Sequence, residues 1–245
     1  MRTALNTESI INDISLNGFS HFWDLNKSLN TSSTELKQFR SWWRNLIPDE
    51  NFRQYTCRER RILRYRLAAK SPEKLEINRD PNYTSTMDYD APYQRGINSL
   101  TYAEEDFIQS PALKAILQFD LEIALSIISS FELLEIDIHQ FRVTASMGQH
   151  SPTTSGVHQD GYNLVFMHFV GSYNVHPVSS EVFSSDAEES LLYRIEMEAF
   201  METFVVNDTA CWHRASAVKQ KNRKLPAWRD MLVVSFRRLT SEVAE

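Results

Sequence analysis

The sequence predicts a mainly β protein, a jelly-roll type barrel braced by N-terminal helices, in one domain. Three observations carry this. A chain of 245 residues suits a single large barrel. Hydrophobic residues at 42% and charged residues at 24% supply an ordinary core and surface, with no compositional push towards disorder. The hydrophobic period also changes near residue 135, from spacings of three and four to alternation. The expected division is a helical layer with a loop or lid over about 1–134 and a β-barrel core over about 135–240.

In the first part, Ser32 and Ser33 are candidate caps for a helix through Leu36, Phe39, Trp42, Trp43 and Leu46, ending before Pro48. Residues 71–109 hold Pro72, Pro81, Pro92 and Gly96 among Tyr83, Tyr89, Tyr93 and Tyr102, without a sustained period, and read as loop. Ser110-Pro111 opens a long amphipathic helix, with serine at the cap and proline at the first helical position. From Glu135 onward Ile136, Ile138, Gln140, Arg142 and Thr144 alternate with Asp137, His139, Phe141, Val143 and Ala145. Further strands are expected over 156–170, 178–183, 200–206, 209–216 and 229–239.

A net charge of -6 and only a scattered basic group at Lys219, Lys221, Arg223 and Lys224 argue against nucleic acid as a partner. Two cysteines, Cys57 and Cys211, are too few for a disulfide framework and wrongly spaced for a zinc cluster, so a reducing compartment is expected. The N-terminus lacks the apolar core of a signal peptide. The apolar stretch from Ala112 to Leu134 is interrupted by Lys114, Asp120 and Glu122, which argues against a membrane span. A cytoplasmic protein acting on a small molecule is the expectation. Its oligomeric state is left open.

The segment Gly156-Val157-His158-Gln159-Asp160-Gly161 carries the chemistry. On a strand, positions two apart share a face, so His158 and Asp160 can offer an imidazole nitrogen and a carboxylate oxygen to one point, with Gly161 permitting a sharp bend. Two histidines and one carboxylate on one face, with other positions open, are the ligand set of Fe(II) sites that activate O2. His168 is a poor third ligand, because ten residues of strand separate it from His158 by roughly 33 Å. His213 is the better one, in Ala210-Cys211-Trp212-His213-Arg214-Ala215 after the strand Phe204-Val205-Val206 and the turn Asn207-Asp208. Arg229 opens the apolar run Met231 to Phe236, and its guanidinium fork matches a carboxylate directed into the barrel.

Together with His139-Gln140-Phe141-Arg142 and Arg229-Asp230-Met231-Leu232-Val233-Val234, these segments resemble the bacterial 2-oxoglutarate/Fe(II)-dependent dioxygenases that hydroxylate free L-amino acids, the L-isoleucine 4-hydroxylase-like group. The resemblance covers about residues 94–236. It implies a double-stranded β-helix, a cupin-like barrel, with iron on His158, Asp160 and His213 and with Arg229 on 2-oxoglutarate. The implied reaction hydroxylates an unactivated C–H bond of a free L-amino acid, using O2 and converting 2-oxoglutarate to succinate and CO2. Arg142 and Arg95 are then candidates for the substrate carboxylate, and Tyr93 and Tyr102 for walls of a lid.

Two departures stand out. The group often carries Pro-x-Glu-Gly before the first iron histidine, whereas this chain has Thr153-Thr154-Ser155-Gly156. Met231 replaces a serine common in the wider superfamily two residues after the 2-oxoglutarate arginine, so the distal carboxylate must take its second hydrogen bond elsewhere. The alternatives are the same chemistry on a carrier-bound or non-amino-acid molecule, or a cupin-like metal- or ligand-binding barrel without oxygen chemistry, which has no use for Arg229.

Overall fold

A computed structural model describes residues 5–50, 53, 56–72, 74–80, 82–85, 96–145, 149–150 and 156–239. In chain order its main elements are α1 (Thr7–Asn17), β1 (Phe19–Phe22), α2 (Ser33–Ser41), β2 (Arg58–Ala68), α3 (Pro111–Ile127), β3 (Leu133–Thr144), β4 (Leu164–Tyr173), β5 (Ser179–Phe183), β6 (Leu191–Glu196), β7 (Thr203–Asn207), β8 (Trp212–Ala215) and β9 (Trp228–Leu239). The larger sheet runs β1-β7-β4-β9-β3-β2, with Ile47–Pro48 and Leu75–Ile77 both pairing with β2. The smaller runs β6-β5-β8. Every strand pairing among the described residues is antiparallel, apart from one isolated parallel bridge between Ile62 and Tyr102. This mainly β architecture, antiparallel sheets with few helices, is consistent with the expected double-stranded β-helix.

Strand parity sorts the larger sheet into two faces. On the outer one, Leu63, Leu134, Ile136, Ile138, Phe166, Leu232, Val234 and Phe236 pack with Ile10, Ile14, Phe39, Leu113, Ile116 and Ile123 of the helices in the principal core. Burial of each such side chain is worth roughly 1.5–3 kcal/mol, so the helices are held by this face. On the inner face Phe169, Phe204, Val206 and Met231 meet Val182 of the smaller sheet and Met197 in a second core.

The helices start as the sequence predicts. Ser32 and Glu35 form a reciprocal capping box, and Ser110 caps α3 with Pro111 at its first position. Their ends differ. After Ser41 the chain tightens into a 3-10 turn, Trp42–Asn45, which delivers the fully buried Trp43 to the sheet, where its Nε1 donates to the Phe141 carbonyl at 3.0 Å. The helix α3 stops at Ile127, because Leu133 and Leu134 belong to β3.

Two expectations are corrected. Residues 1–134 are not only helix and loop: β1 and β2 belong to the larger sheet. The alternation in β2 is inverted, with Arg58, Arg60, Arg64 and Arg66 on the inner parity and Leu63 and Leu67 against the helices, so it lacks the usual apolar-inward signature. The strand expected from Gly156 begins only at Leu164, after a bend at Gly161, whose φ of +76° is the left-handed conformation glycine permits.

His168 lies on the outer parity, fully buried, with Nε2 2.9 Å from Asp120 Oδ2 of α3 and Nδ1 2.9 Å from Thr203 Oγ1. It ties α3 to the sheet. The His168→Ala protein should lose about 3 kcal/mol of stability in urea unfolding, because Asp120 is left buried without its partner. Its divalent-metal affinity should stay at the wild-type value, and a loss comparable to that of His213→Ala would contradict this placement.

Candidate metal centre

Two segments far apart in sequence meet at His158 and His213. The His158 amide donates to the His213 carbonyl at 3.0 Å, and the His213 amide donates back to the His158 carbonyl at 2.8 Å. Residues paired in this way project side chains to the same side, and the two imidazole centroids are 4.5 Å apart. His213 also pairs with Val182 of β5, which fixes it in the smaller sheet.

Asp160 completes the cluster. Its Oδ2 is 3.1 Å from His213 Nε2 and its Oδ1 is 3.5 Å from His158 Nε2, and one ligand atom from each residue lies within 4.8 Å of the others. His158 Nδ1 must donate to the Gly156 carbonyl at 3.0 Å, which leaves the lone pair on Nε2. That Nε2 is buried and has no hydrogen-bond partner. An orphaned imidazole nitrogen beside a second imidazole and a carboxylate fits a divalent cation. Asp160, a third exposed, faces the open side.

The electrostatics agree. Burial pulls the His213 imidazole down, but Asp160 and Asp208 outweigh it and push it up to about 10. For Asp160, burial acts upward and is outweighed by His213 and His158, so its carboxyl stays well below the usual range. Without a metal, His213 therefore holds a proton at neutral pH where a metal ion would bind. His139, on the inner parity of β3, is driven well below its ordinary value by burial and by the Arg60 and Arg58 cations, with Asp160 opposing.

Arg229 occupies the inner parity of β9 opposite Val143 and Ser172, is 4% exposed, and packs its guanidinium 6.0 Å from the Phe169 ring. Its Nη2 has no hydrogen-bond partner, and burial alone lowers its pKa to about 10. It lines a cavity of about 240 Å³ with Phe169, Ser172, Val178, Met197 and Lys221.

The remaining candidates are placed differently. Arg142 lies on the outer parity of β3, opposite Asp230, and forms a bidentate pair with it at 2.7 Å for both bonds while stacking on Trp228 at 4.7 Å. Its fork is taken up by Asp230 on the face away from Arg229. Tyr102 donates to the Asn78 carbonyl at 3.0 Å and lies under Arg79, packed beside β2. Arg95 and Tyr93 lie outside the described residues. Sequence reasoning did not single out Asp208, which approaches His213, or Tyr162. The only sequence signal for Asp208 was its turn position five residues before His213.

The family model described as 2OG-Fe dioxygenase matches residues 40–235. Solved structures share the fold. IDO from Bacillus thuringiensis is 20% identical, with 96% of each chain covered and a TM-score of 0.79. A bsmA homologue from Methylobium petroleophilum PM1 is 20% identical over 96% of this chain and 94% of that one, with a TM-score of 0.83. The Fe(II)/α-ketoglutarate-dependent dioxygenase TqaL is 16% identical over 97% of this chain and 88% of that one, with a TM-score of 0.75. No curated protein matches the chain in sequence.

The proton on His213 generates a pH dependence of metal binding. A metal ion must displace it, whereas Asp160 is already ionised, so one proton leaves per ion bound. Apparent Mn(II) affinity should rise about tenfold per pH unit through the neutral range, flattening towards the His213 value of about 10. Mn(II) titrations at several pH values test this, and a pH-independent affinity would contradict it.

Proposed function

The chain belongs to the 2OG-Fe dioxygenase family, and from that premise we propose that His158, Asp160 and His213 hold its Fe(II), that Arg229 receives the distal carboxylate of 2-oxoglutarate, and that the substrate is a free L-amino acid hydroxylated at an unactivated C–H bond. The protein is a 2-oxoglutarate-dependent dioxygenase, and its family uses Fe(II), 2-oxoglutarate and O2. The observation that carries the ligand assignment is the convergence of three ligand atoms around the orphaned Nε2 of His158.

Iron bound there supplies O2 activation coupled to the decarboxylation of 2-oxoglutarate to succinate and CO2. The protein's own part is positioning and charge. His158 and His213 are fixed by their shared backbone bonds, and Asp160 contributes one negative charge on the open side. Arg229, buried and without a carboxylate partner among the described residues, suits an anion brought in by a co-substrate.

The substrate class rests on the sequence resemblance and on charge. Arg58 and Arg60 stand on the inner parity of β2, opposite Val143 and Phe141, and share Asp49 at 2.8 and 2.7 Å. Both act electrostatically on His139, as does Asp160, and this inward-facing positive charge supports the reading of an anionic substrate group. The expected location is the cytoplasm. No helix among the described residues is long and apolar enough to cross a membrane.

Incubation with Fe(II), ascorbate, 2-oxoglutarate and the standard L-amino acids, with products read by mass, tests the reading. A gain of one oxygen on an amino acid, matched by succinate, is expected. Succinate coupled only to a carrier-bound or non-amino-acid molecule would move the substrate class and keep the chemistry.

A second prediction concerns Arg229. A base whose folded pKa lies below its unfolded one costs stability at neutral pH, here roughly 3 kcal/mol against the charged form. The Arg229→Met protein should therefore be at least as stable as wild type without ligand, yet bind 2-oxoglutarate on the order of a hundredfold more weakly. Unchanged 2-oxoglutarate affinity in an anaerobic Fe(II) titration would move the anion site elsewhere.

A further inference from the structure

Behind the triad lies a buried carboxylate that the reading above does not use. Asp208 follows β7, is 2% exposed, and has no lysine or arginine ion-pair partner among the described residues. Its Oδ2 accepts the Tyr162 amide at 3.1 Å, and its Oδ1 is 3.3 Å from His213 Nδ1. Neither that oxygen nor that nitrogen has a hydrogen-bond partner among the described residues, so each is left facing the other as a buried ionic contact. The Asp208 amide donates in turn to the Asn163 carbonyl at 3.1 Å. One residue thus clamps the bend that follows Asp160 to the segment that carries His213. The far side of the clamp is anchored in the barrel, where the Tyr162 hydroxyl donates to Asp137 Oδ2 at 2.6 Å and Arg64 Nε donates to Asp137 Oδ1 at 3.0 Å.

We propose that Asp208 is a positioning residue of the metal centre, holding His213 through Nδ1–H so that Nε2 presents its lone pair beside Asp160 and His158, and balancing a bound divalent cation together with Asp160. The inference rests on the assignment of His213 as a ligand. A neutral imidazole has one N–H and one lone pair, so a carboxylate at Nδ1 selects the tautomer that ligates through Nε2. Two carboxylates also match the charge of a divalent ion, which accounts for an acid buried here without an arginine.

Asn at position 208 makes the test sharp. Its amide oxygen keeps the Tyr162 amide bond, while its NH2 group faces Nδ1 and forces the N–H onto Nε2, the wrong tautomer for ligation. Mn(II) binding, followed by electron paramagnetic resonance on the full chain, should weaken 10–100-fold in Asp208→Asn. His168→Ala, outside the clamp, should bind Mn(II) as wild type does. Wild-type Mn(II) affinity in Asp208→Asn, with His213→Ala strongly impaired, overturns the role of Asp208. Wild-type affinity in His213→Ala instead overturns the ligand assignment beneath it. Because a variant can fail to fold, nitrogen-15 NMR of the wild-type chain loaded with Zn(II) gives a separate reading: a proton on Nδ1 of His213 is expected, and an unprotonated Nδ1 overturns the proposal.

Discussion

The reciprocal backbone bonds between His158 and His213 are the constraint on which the site depends. They join a loop leading into the larger sheet to a strand of the smaller one, so the two histidines start from fixed points of the main chain, and ring contacts to Gly156 and Asp208 complete their placement. Main-chain pairing of this kind tolerates little drift, and a metal ion that needs ligands within a few tenths of an ångström benefits from it. Asp160 then needs only the short reach that the bend at Gly161 provides.

Strand parity decides what the rest of the larger sheet does. The outer parity carries apolar packing and polar ties, among them His168 with Asp120 and Arg142 with Asp230, which connect or brace elements. The inner parity carries Arg58, Arg60, Arg64, Glu135, Asp137, His139, Arg229 and Arg237. Most of this charge is paired: Arg64 with Glu135 and Asp137, Arg237 with Glu135, and Arg58 and Arg60 with Asp49. Arg229 stands apart as a buried guanidinium whose pKa is lowered by burial, with no carboxylate among the described residues to offset it. A barrel interior so charged folds because, among the described residues, nearly every ion has a fixed partner.

The sequence by itself determined the residue types and the period. His-x-Asp at 158–160, a later histidine at 213, an arginine opening the last strand, and the change of period near 135 are local facts about neighbours. The capping box at Ser32 and the Ser110-Pro111 start are equally local, because a cap is satisfied within one turn of helix.

Only the tertiary structure decided which face each polar group occupies and what it meets. Arg142 was a sequence candidate for a substrate carboxylate and Arg229 for that of 2-oxoglutarate, yet one residue of offset between them puts their side chains on opposite faces of the sheet, Arg142 with Asp230. The strand β2 escaped notice because its inward face is arginine, which is tolerable only when Asp49, Glu135 and Asp137 arrive from elsewhere in the chain. Asp208 read as a turn residue because its neighbours in space, Tyr162 and His213, are brought to it by β4 and β8. Contacts between segments so far apart leave no period in the sequence, since burial, register and charge compensation act through space rather than along the chain.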